Sequence, residues 1–219
     1  MLPSPAPVDR SVLTRWVPGP DTVLRYGPEE DRVHVRPMTE ALTTAGWTTV
    51  APEYRRVPGR PDLAVQDVHA AVRAVAGRAR SAGVLLVGHS AGGHLVLQAA
   101  ATMVGPEVPV GVAALAPVAD LRRAQALGCG GAVADFLGED AAARPDLDSA
   151  QLPAPAVPVP IVHGTADEVV PAELSESYAA ARPRAVLVPV PAGHFAVIDP
   201  RSAVRPTVPA ALQELAGTR

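Results

Sequence analysis

Gly88-His89-Ser90-Ala91-Gly92 sets a serine between two glycines at the G-x-S-x-G spacing. The apolar run Val84-Leu85-Leu86-Val87 comes before it, and an alanine- and leucine-rich stretch follows. A strand, a sharp turn and a helix are therefore expected, with the Ser90 hydroxyl lifted from the strand's end as a nucleophile. Such a turn strains the backbone, and a Cβ at Gly88 or Gly92 would crowd it. The Ala91 N–H, at the start of the helix, is positioned to stabilise an oxyanion.

A serine hydroxyl needs a base, and the base needs a group to orient it. Asp167 follows an apolar run in His163-Gly164-Thr165-Ala166-Asp167-Glu168, and Glu168 is the alternative acid. His194 follows the last strand-like run in Ala192-Gly193-His194-Phe195 and is the expected base. His89 suits pocket lining and packing equally. His94 and His163 are read as structural, the latter bonded locally at a strand end, and His69 as a half-exposed helix residue. His34 has no assignment. The spacing offers no metal-binding cluster, so no metal site is expected.

The elements that must position these residues alternate. Strands are expected at Thr48–Ala51, Val84–Val87, Val110–Leu115, Val159–Val162 and Ala185–Val190. They are apolar on both faces, as in a buried parallel sheet. Helices are expected with Pro37 in the first turn, from Pro61 to a stop at Gly77, from Ala91 to about Met103, and from near Pro171 and Pro206. Val65, Val68, Val72 and Val75 make a stripe on the second of these. Between about residues 120 and 158 the pattern lapses into a Gly-, Pro- and Ala-rich excursion, read as lid-like, with a helical piece around Val133–Leu137. The chain's 219 residues suit a single domain over 1–219.

Composition narrows the partners. The net charge is −3, and all 19 basic residues are arginine, a codon-bias signature rather than a nucleic-acid footprint. A lone cysteine, Cys129, excludes an internal disulfide and is compatible with a reducing compartment. The amino-terminal residues have no charged start or apolar core of a secretory signal, and no run reaches membrane-spanning length. The expected location is cytoplasmic, with a small-molecule partner and neither nucleic acid nor membrane.

Gly88-His89-Ser90-Ala91-Gly92-Gly93-His94-Leu95 resembles the nucleophile turn of esterase and kynurenine-formamidase-like α/β-hydrolases. Ala51-Pro52-Glu53-Tyr54-Arg55-Arg56, His163-Gly164-Thr165-Ala166-Asp167 and Gly193-His194-Phe195 also resemble segments of that family. The resemblance spans about residues 31 to 215. It implies a three-layer α/β fold, with a mostly parallel sheet between helices. It further implies a serine hydrolase of esters or aryl formamides that needs no cofactor, with Ser90, Asp167 and His194 as its triad.

One family feature is missing. No His-Gly-Gly occurs in the sequence, although in the family that motif ends a central strand and supplies the second oxyanion N–H. Only weak strand candidates, Val12–Val17 and Thr22–Tyr26, precede residue 46, and a segment reads as lost between Pro28 and Asp31. Two expectations follow. The strand Thr48–Ala51 should move beside Val84–Val87, leaving the strands in sequence order. Turnover should suffer by about 10²–10³ for one lost oxyanion donor. The alternatives are a silent relative acting as a binding protein and a truncated product without a stable fold.

Overall fold

The computed structural model describes residues 32–79, 83–105 and 108–217. The candidate strands Val12–Val17 and Thr22–Tyr26, and the junction at Pro28–Asp31, lie outside them. Four strands, β1 (Leu85–His89), β2 (Gly111–Leu115), β3 (Val159–Gly164) and β4 (Ala185–Val190), form a parallel sheet in the order β1-β2-β3-β4. The helices are α1 (Arg32–Thr44), α2 (Pro61–Ala79), α3 (Ala91–Thr102), α4 (Leu121–Ala126), α5 (Gly130–Leu137), α6 (Ala172–Ala180) and α7 (Thr207–Gly217), with a 3₁₀ turn at Ala141–Ala143.

The sheet is a middle layer because its strands are apolar on both faces. Alternate residues point to opposite sides. Val112 and Ala114 of β2 join Leu86 and Ile161 in a core with Val68 and Val72 of α2, Leu95 and Leu97 of α3 and Tyr178 of α6. Ala113 and Leu115 join Val162 and Val190 in a second core with Leu42 of α1 and Leu212 and Leu215 of α7. Strand order that advances one step at a time sends the right-handed crossovers α3 and α6 to the same face.

Residues 48–51 form no strand, so the expected neighbour of β1 does not materialise. The reason is local. Trp47 N–H returns to Leu42 O at 3.0 Å, and Thr49 Oγ1 lies 2.6 Å from Thr43 Oγ1. The segment is thereby tied to the end of α1. Val50 is 45% exposed, whereas a strand buried on both faces would hide it. The following residues are fastened to α2, where Arg55 grips Asp67 through its N–H, Nε and Nη2 at 2.7–2.9 Å.

Two helix boundaries also differ from expectation. Pro37 lies inside α1 rather than in its first turn, and α2 runs through Gly77 to Ala79. A glycine costs a helix only about 1 kcal/mol, and packing of the Val65–Val72 stripe outweighs that.

The excursion has a small core of its own. Leu121, Ala124, Val133, Leu137, Ala141 and Leu147 bury one another with Val170 and Leu174. Its far end is riveted to the body. His94 Nε2–H donates to Leu147 O at 2.7 Å, and Arg182 Nη2 donates to Ala150 O at 2.7 Å and Leu152 O at 3.0 Å. The wholly buried Asp148 accepts the N–H groups of Leu121 and Ala150 at 3.0 and 3.1 Å. Nothing at the sequence level marked Asp148, because its partner turn is 27 residues away.

Candidate active site

Ser90 leaves β1 and caps α3 with φ 55° and ψ −118°. It is one of two non-glycine residues with positive φ among those described. That conformation costs about 1–3 kcal/mol and persists only where its surroundings enforce it. Enforcement is visible on both sides. Ser90 N–H is held by Leu115 O at 2.9 Å, and Ser90 O accepts from Val118 N–H at 3.3 Å. A Cβ on Gly88 would lie 2.2 Å from Gly92 O. A Cβ on Gly92 would meet nothing within 4 Å, so only the first half of the expected crowding holds. The second tight glycine is Gly93, where a Cβ would fall 2.7 Å from Pro117 Cβ.

Asp167 and His194 come from the loops past β3 and β4, at the carboxyl end of the sheet that also presents Ser90. His194 Nδ1–H donates to Asp167 Oδ2 at 2.7 Å, and both side chains are all but buried. Glu168, the alternative acid, is exposed. Asp167 Oδ1 accepts the N–H groups of Val169 and Val170 at 2.9 and 2.8 Å. Burial alone would raise the Asp167 pKa. The Val170 N–H, His194 and the Val169 N–H outweigh it and hold the carboxyl below its usual range.

His194 reaches the nucleophile turn through its neighbour. His89 Nε2–H donates to His194 O at 3.0 Å, and the two rings lie 4.5 Å apart. His89 thus packs on the base loop. Phe195 stands edge-on to the His194 ring at 4.9 Å and is 44% exposed. Among the described residues no hydrogen bond joins Ser90 Oγ to His194; such contacts commonly tighten only around a substrate. The Ala91 N–H sits at the first position of α3, where the helix dipole favours negative charge.

The other histidines fall where they were expected. His94 is buried on Leu147 O. His69 is half-buried beside Gln98 Oε1 at 3.2 Å. His163 is buried at the end of β3 against Ser175 and Val170. Ser175 carried no signal in the sequence. The His34 side chain lies outside the described residues.

Burial lowers the pKa of His94 and of His163 below the ordinary 6.5, keeping both neutral. The unfolded chain then binds protons more readily than the folded one once the pH drops below about 6.5, so stability falls with acidification. A lower melting temperature at about pH 5 than at about pH 7 is expected. His94→Gln keeps an N–H for Leu147 O and removes one titrating group, so its melting temperature should depend less on pH. Calorimetry across that range checks both. A flat wild-type profile would contradict the sign.

A family model described as alpha/beta hydrolase fold matches residues 30–142. No curated protein sequence matches the chain. Among solved structures, esterase B from Lactobacillus rhamnosis, inhibited with a tributyrin phosphonate, superimposes with a TM-score of 0.67 at 23% identity, over 88% of this chain and 72% of that one. A thermophilic esterase from the planctomycete Thermogutta terrifontis, with propionate bound, gives 0.65 at 24% identity, over 85% and 77%. Puromycin hydrolase gives 0.55 at 22% identity over 64% of this chain, which spans only 23% of that larger one. At these identities the likeness is one of fold.

Proposed function

The chain belongs to the α/β-hydrolase fold family, and from that premise we propose that it is a serine hydrolase of carboxylic esters or aryl formamides. The observation that carries the reading is the buried 2.7 Å bond from His194 Nδ1 to Asp167 Oδ2, set at the sheet end where Ser90 is strained upward. The two esterases among its structural neighbours favour the ester as the first substrate to try.

In this mechanism Ser90 Oγ attacks the acyl carbon as its proton passes to His194 Nε2. Asp167 Oδ2 keeps the Nδ1–H and stabilises the imidazolium. The carbonyl oxygen becomes an oxyanion facing the Ala91 N–H. Collapse breaks the bond to the leaving alcohol or aryl amine, which takes the proton from His194. Water, deprotonated by His194, then cleaves the acyl-serine and restores the hydroxyl.

Labelling of the purified chain with a fluorophosphonate tests the reading. Wild type should be modified and Ser90→Ala should not, and the wild type should then hydrolyse p-nitrophenyl esters or N-formylarylamines. A cooperatively folded chain that resists the probe would overturn the hydrolase reading in favour of a binding protein.

A further inference from the structure

Behind the acid lies a polar pair that the mechanism does not use. His163, at the end of β3, is 1% exposed, and Ser175 on α6 is fully buried. Ser175 Oγ is 2.6 Å from His163 Nδ1. His163 Nε2 is 3.0 Å from Val170 O and 3.3 Å from Asp167 Oδ2. Both oxygens facing Nε2 are acceptors, so Nε2 carries the hydrogen. Nδ1 is then a bare lone pair, and the Ser175 hydroxyl must donate to it. The opposite tautomer would turn a lone pair toward a carboxylate and leave a buried carbonyl unpaired.

We propose that Ser175 and His163 form a positioning relay for Asp167, in which the acceptors at Nε2 fix the histidine tautomer, the serine hydroxyl pins the ring through Nδ1, and the histidine holds the acid in line with His194. Val170 is the hinge of this device. Its N–H binds Asp167 Oδ1 at 2.8 Å while its carbonyl is bound by His163. With Oδ1 fixed, Oδ2 is left facing His194 Nδ1, with the His163 N–H close behind it. The charged and titratable groups around the relay are Asp167 and His194 from the site loops, Glu176 from α6 and, toward Asp167, the Cys129 thiol before α5. The relay rests on the triad reading and can fail separately from it.

Two measurements on the full chain test the relay. The first is ¹⁵N NMR of the histidine rings near neutral pH. His163 should be neutral with its hydrogen on Nε2, and Ser175→Ala should keep that hydrogen while its Nδ1 signal shifts as the hydrogen bond to Nδ1 is lost. A hydrogen on Nδ1, or an imidazolium, in the wild type would overturn the relay. The second is the rate of fluorophosphonate labelling. Ser175→Ala and His163→Leu should label about tenfold more slowly, part of the roughly 10²–10⁴-fold that positioned proton transfer supplies. His163→Gln, which can keep a donor at the Nε2 position, should restore the rate. If His163→Leu does not fold, Ser175→Ala carries the test. Rates equal to wild type in folded variants would overturn the relay. A wild type that never labels would sink the triad reading, and the NMR result would still decide the relay.

Discussion

Asp167→Asn should reduce turnover about 10⁴-fold while leaving the fold intact. The local bonding makes the reason specific. Oδ1 is committed to the N–H groups of Val169 and Val170. An asparagine would place its own oxygen there, because its NH₂ cannot accept. The NH₂ would then face His194 Nδ1, which would have to accept instead of donate. Its hydrogen would move to Nε2, the atom that takes the proton from Ser90 in the proposed mechanism. The variant should melt near the wild-type temperature, and KM for a p-nitrophenyl ester should change little while kcat collapses. A variant with near-normal kcat would remove Asp167 from the mechanism.

Gly88→Ala should be severely damaging, its added carbon being, with that of Gly164→Ala, the most crowded at any glycine among the described residues. The added carbon would lie 2.2 Å from Gly92 O, 2.5 Å from Gly92 C and 2.8 Å from Gly93 N. All three are backbone atoms at the start of α3, so no side chain can swing away. The turn must open, which costs about 1–3 kcal/mol and displaces Ser90. Gly92→Ala is the matched control, since its Cβ would meet nothing within 4 Å. Urea unfolding and fluorophosphonate labelling of the pair should therefore diverge, with loss of both stability and labelling at Gly88 and near-normal values at Gly92. Equal damage at the two positions would mean that the crowding lies elsewhere.

The contrast also marks the limit of reading a turn from its spacing. Both glycines satisfy G-x-S-x-G, but only Gly88 faces the first turn of the helix. The tight partner of Gly93 is Pro117, on the loop past a different strand. Thr48–Ala51 shows the same limit. Its β-branched residues suit a strand, but strand propensity becomes structure only with a ladder partner. Here the Thr49 hydroxyl is engaged by the end of α1.

The residues of the chain settled by themselves what is local. Apolar runs at β1, β3 and β4, the helical stripe on α2, the alanine- and leucine-rich run of α3, and the glycine-led turns that hold Ser90, Asp167 and His194 are patterns of neighbours along the chain, and short-range sterics and periodicity act on neighbours. Which atoms meet across the sheet was decided only by the tertiary structure. The bond from Ser175 to His163 depends on the angle at which α6 returns over β3. The bond from His89 to the carbonyl of His194 joins residues 105 positions apart. The hold of Asp148 on α4 depends on how the excursion closes. Such contacts follow from strand order, register and helix packing, and no window of sequence contains them.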